Sequence, residues 1–118
     1  MIESDNTKAQ MRKGILEFCV LNIISRGEIY PSDILKELKL ARLIVMEGTL
    51  YPLLTRLKNA GILNYAWVES RSGPPRKYYR LTEEGQLFLN DLHATWEELV
   101  QAVETTRTTN TPNPENHA

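Results

Sequence analysis

Apolar positions in the first half of the chain recur with a helical period. From Gln10 to Arg26 they crowd most of the circumference (Met11, Ile15, Leu16, Phe18, Cys19, Val20, Leu21, Ile23, Ile24), which predicts a central helix touched by several neighbours. Gly27 supplies its stop signal. Pro31 suits the first position of a second helix, Ser32 and Asp33 favour its positive end, and Ile34, Leu35 and Leu38 share one face. A third helix follows Val45, with Leu50, Leu53, Leu54 and Leu57 at i, i+3, i+4 and i+7 and Gly61 past its end. Pro52 is harmless in it only near the start; further in, it would bend the axis.

The period then changes to two. Leu63, Tyr65 and Trp67 alternate with Asn64, Ala66 and Val68, and Arg76 to Leu81 resumes the strand pattern. Ser70-Arg71-Ser72-Gly73-Pro74-Pro75 between them is turn material, predicting a hairpin with a stiff tip. Thr82 is a plausible N-cap for a last helix, with Glu83 and Glu84 in its first turn, running to about Thr105. Three helices, a hairpin and a long helix predict an α+β fold, mostly helical: a winged helix-turn-helix with a two-stranded wing. The expected divisions are a flexible N-terminus over 1–9, a DNA-binding unit over 10–82, a dimerisation helix over 83–105, and a disordered tail over 106–118, whose Thr, Asn and Pro cannot bury a face.

A length of 118 residues leaves room for one domain. The net charge of −1 hides an asymmetry. Residues 1–52 balance. Residues 53–80 carry Arg56, Lys58, Arg71, Arg76, Lys77 and Arg80 against Glu69 alone, and the rest of the chain carries Arg107 against seven acids. A basic middle suggests an anionic partner, although a solvated charged surface would look similar. The densest apolar run, Ile15 to Ile24, is broken by Glu17 and Asn22, so no membrane span is expected. Acids near the start argue against a secretory signal, and the single Cys19 makes the cytoplasm the default compartment.

Candidate contacts follow from the elements. With its leucines turned inward, the third helix presents Gly48, Thr49, Tyr51, Pro52, Thr55 and Arg56, a polar edge that is small near its start and fits a major groove about 12 Å wide. An ordinary amphipathic helix shares that look. The hairpin adds Arg71, Arg76 and Lys77 beside Gly73, as a wing along the sugar-phosphate backbone requires. Lys13 is a further backbone candidate. On the last helix Leu89, Leu92, Trp96, Leu99 and Val103 are spaced 3, 4, 3, 4, a heptad seam suited to a second copy. The alternative is that this helix folds back on its own domain.

Two motifs also resemble those of the PadR-like transcriptional regulators. Gly48-Thr49-Leu50-Tyr51-Pro52-Leu53-Leu54, followed by Arg56-Leu57 and Gly61, is similar to that family's recognition helix. Gly73-Pro74-Pro75-Arg76-Lys77-Tyr78-Tyr79-Arg80-Leu81-Thr82, with Gly85 beyond, is similar to its wing, and Arg12-Lys13-Gly14-Ile15-Leu16-Glu17 to its opening. The resemblance covers about residues 11–103. It implies a homodimeric regulator, usually a repressor, released from double-stranded operator DNA by a small molecule or another signal. The short C-terminal part resembles the branch with a single dimerisation helix. Trp96 stands where drug-sensing relatives place an aromatic residue in an effector pocket, so a small aromatic or drug-like ligand is implied. Pro31-Ser32, preceded by Tyr30, departs from the family's Gly-Tyr, which implies that a tyrosine backbone contact is lost or moved to Tyr30.

Catalysis is not expected. Cys19 lies in an apolar helix, His93 and His117 are far apart, and neither zinc spacing nor a phosphate-binding glycine loop occurs, so no metal or cofactor is expected. The rival reading is a winged helix used for protein contacts without DNA.

Overall fold

The computed structural model describes the backbone of residues 2–108 and the side chains of residues 5–108. The elements are α1 (Ile2–Ile24), α2 (Pro31–Leu40), α3 (Glu47–Asn59), β1 (Leu63–Ser70), β2 (Gly73–Leu81) and α4 (Glu83–Arg107). No helix among the described residues is long and apolar enough to cross a membrane.

The core gathers the inward faces the pattern predicts: Leu16, Val20, Leu21 and Ile24 of α1, Ile34 and Leu38 of α2, and Leu50, Leu54 and Leu57 of α3. Leu63, Tyr79 and Leu89 close it from the hairpin and α4. Gly61, at φ 81°, ends α3 in the left-handed conformation glycine tolerates. At the end of α2 the same role falls to Arg42, at φ 65°, which no sequence signal marks.

Four expectations change. Residues 2–9, expected to be flexible, belong to α1. Apolar periodicity could not reveal this, because Asp5 to Gly14 are all exposed; Lys8-Ala9-Gln10-Met11-Arg12-Lys13 are good helix formers that extend a helix already nucleated on the core. The prolines are not at the hairpin tip. Arg71-Ser72 make the turn, and Pro74 and Pro75 begin β2 opposite Glu69, where the register slips by one residue. That bulge suits residues with no N–H to donate, and a two-stranded sheet consists only of edges. Pro52 lies at the sixth position of α3, so the Gly48 carbonyl on the exposed face loses its helical donor. The last helix runs to Arg107, so Thr106 and Arg107, expected in the disordered tail, belong to α4; the rest of that expected tail, from residue 109, lies outside the described residues.

Thr82 fixes α4 to the rest. Its hydroxyl accepts from the Gly85 N–H at 2.9 Å and donates to the Gly61 carbonyl at 2.6 Å. Gly85 permits that approach, since a Cβ there would sit 2.1 Å from the Ile62 carbonyl oxygen. From this anchor α4 runs outward, and the molecule spans 70 × 38 × 22 Å. Its radius of gyration of 18.6 Å exceeds the roughly 13 Å of a compact chain of this length.

Candidate nucleic-acid interface

The exposed edge of α3 meets the wing across a groove of about 430 Å³. Tyr51 and Thr55 line it from α3, Tyr30, Pro31 and Ser32 from the start of α2, and Trp67, Arg76, Lys77 and Tyr79 from the hairpin. Two backbone bonds between Ile29 and Tyr79, at 2.9 and 3.2 Å, clamp the start of α2 to β2. They set Tyr30 beside Tyr78, the two rings stacking at 3.8 Å.

Arg76 and Lys77 of the wing rest on aromatic rings. The Arg76 guanidinium lies 5.0 Å from the Tyr30 ring centre. The Lys77 ammonium lies 4.5 Å from Tyr65 and 5.2 Å from Trp67. Contacts of this kind contribute about 0.5–1 kcal/mol each at exposed sites. They orient a cation without neutralising it, and neither Arg76 nor Lys77 has an acid partner among the described residues. The hydrogen bond with Tyr30, reinforced by burial, pushes the Tyr78 phenol above its ordinary pKa.

Other candidates are placed differently. Arg71 and Gly73 are exposed, in and just after the hairpin turn. Gly48, Thr49 and Pro52 are exposed on α3, and the Thr55 hydroxyl donates to the Tyr51 carbonyl at 3.1 Å. Lys13 shares a second groove with Arg12, Ile44 and Thr49 on the other side of α3. Arg56 points away from the wing groove and pairs with Glu17 of α1 at 2.5 Å.

Reading the sequence leaves Trp67, 62 % exposed in the groove, out of the interface and admits Tyr30 only through the resemblance. Their signal is the register, Trp67 opposite Lys77 and Ile29 opposite Tyr79, which only the folded hairpin supplies.

The heptad seam is divided. Leu89 is 1 % exposed and belongs to the subunit's own core, and Leu92 packs partly against that core. Trp96, Leu99 and Val103 remain exposed and, with Met11 and Ile15 of α1, line an apolar groove of about 480 Å³. The Trp96 ring lies 6.1 Å from Phe18. Cys19 is half-buried, and burial raises its thiol pKa, which keeps it protonated and unreactive.

Three packed helices followed by a cation-bearing hairpin define a winged helix-turn-helix, here of the transcription-regulator class. The profile of the transcriptional regulator PadR-like family matches residues 20–91, and the chain belongs to that family, whose members are regulators and not enzymes. The structure of a PadR-like transcription factor from Bacteroides fragilis is 58% identical, over 84% of this chain and 96% of that one, with a TM-score of 0.72. A PadR family regulator from Eggerthella lenta is 33% identical over 93% and 100%, with a TM-score of 0.80. Bacillus subtilis PadR, solved in complex with operator DNA, shares the fold at 22% identity and a TM-score of 0.61, over 86% of this chain and 51% of that one.

Proposed function

We propose that this chain is a cytoplasmic repressor that binds a palindromic operator as a homodimer and is released by a small aromatic compound. The observation that carries the reading is the pair of unneutralised cations, Arg76 and Lys77, held on aromatic rings across a groove from Tyr51 and Thr55. Phosphate oxygens along a duplex suit the cations, while the edge of α3 from Gly48 to Thr55 meets base edges. Arg71 at the wing turn and Lys13 on α1 add backbone contacts. Two such units present half-sites about 34–36 Å apart, or a multiple of that.

Fluorescence anisotropy with a duplex from upstream of the chain's own gene, repeated over a salt series, tests this. Affinity should fall steeply as salt rises, because each neutralised phosphate releases counterions. A protein that ignores every duplex even in dilute buffer is instead a protein-contact module.

Arg56 has a conditional part. Its pair with Glu17 is exposed, and such pairs contribute about 0–1 kcal/mol, so a guanine edge or a phosphate can compete for it. Glu17→Gln should therefore raise operator affinity, by up to about fivefold for each subunit of the dimer. No gain would mean that Arg56 serves only to hold α3 on α1.

The seam groove, walled by Trp96, is the effector site in this reading. In a Trp67→Phe background the remaining Trp96 should change its fluorescence on titration with planar aromatic compounds. If operator binding persists while no such compound alters the signal, the effector part is wrong.

A further inference from the structure

The segment between α2 and α3 places apolar side chains where water would meet them. Leu43 and Val45 pack against the core, whereas Ile44 and Met46 are 74 % and 73 % exposed. This two-residue alternation is that of extended chain, and Met46 has φ −85° and ψ 154°.

Met46 is also the N-cap of α3 and makes no side-chain cap bond. Ser, Thr, Asp or Asn stabilises that position by accepting from an orphan N–H, as Thr82 does for α4. The chain thus forgoes a cap and holds a flexible apolar side chain at the leading end of the helix that carries Thr49 and Tyr51. Beside it, Ile44 lines a groove of about 410 Å³ with Arg12, Lys13 and Thr49. Neither Arg12 nor Lys13 has an acid partner among the described residues. Ile44 beside free cations, with Met46 exposed two residues on at the helix start, matches the thymine C5-methyl group, which lies in the major groove between rows of phosphates.

We propose that Ile44 and Met46 pack on thymine methyl groups at the edge of each half-site and so help determine which sequence the protein prefers. The proposal rests on the DNA-binding reading above and adds a base to it. It also accounts for the missing cap, since a Ser or Asp there would hydrogen-bond its own helix and offer the methyl group nothing.

The test uses the full chain and a duplex it selects from a random-sequence pool, with each thymine replaced in turn by deoxyuridine, which removes only the methyl group. Loss of the methyl at one or two positions per half-site should weaken wild-type binding about fourfold, the worth of one buried apolar carbon. Met46→Ser should lose sensitivity at one of them, and Ile44→Thr at the other or the same one. Met46→Ser should also raise Tm by a few degrees, because it restores the cap, so any lost preference is not a folding defect. A flat uracil scan with salt-dependent binding intact overturns this proposal alone, as does a Met46→Ser scan identical to wild type. Absence of binding to any duplex overturns the DNA reading as well.

Discussion

Replacing Arg76 and Lys77 together with Ala should weaken operator binding on the order of a hundredfold to a thousandfold at 0.1 M salt. In a dimer the change removes four cations from the duplex. Each phosphate contact contributes about 0.9 to the slope of log affinity against log salt, so that slope should flatten by about 3.6. The loss should be similar for every operator variant, because phosphates carry no sequence. The fold should persist with a lowered Tm: the two side chains give up three ring contacts, with Tyr30, Tyr65 and Trp67, worth about 0.5–1 kcal/mol each. Anisotropy over a salt series measures the slope, and thermal melting checks the fold. An unchanged slope would remove the wing from the interface.

Leu99→Glu should separate the subunits. Leu99 is 52 % exposed beside Trp96 and Val103, and the α1–α4 groove there is walled by apolar side chains on both helices. A self-complementary interface meets the same residue twice, so one substitution sets two carboxylates in the seam. Each costs several kcal/mol if buried without a partner. The variant should sediment as a monomer. Half-sites would then be bound independently, and operator affinity should drop on the order of a hundredfold to ten-thousandfold as the effective concentration of the second subunit is lost. Leu89→Ala offers a contrast: Leu89 lies in the subunit's own core, so the change should lower Tm through a cavity and leave the seam intact. A Leu99→Glu protein that remains dimeric and binds DNA at full strength would place the interface elsewhere.

Much of this arrangement was legible in the order of residues, and the failures share one character. Leu50, Leu54 and Leu57 announced the buried face of α3, Thr82 its cap on α4, and Gly61 the stop before β1, because each depends on neighbours within one or two turns. The Gly48–Leu54 and Gly73–Thr82 motifs carry the likeness to the family to which the chain belongs. The start of α1 was missed because helix can extend past its buried stretch on propensity alone. The prolines were misplaced because a bulge, not a turn, accommodates them.

The chain alone therefore determined element type and order, the leucine faces, the cap and the basic middle, all consequences of backbone preference and burial over short spans. Tertiary structure decided which cations are free. Arg56 meets Glu17 across 39 residues of sequence, Lys77 meets Trp67 through strand register, and Leu89 turns into its own core while Leu99 does not. The physical reason is range: a side chain's neighbours along the chain set its local conformation, but what its charge or apolar surface meets is set by packing between elements that are distant in sequence.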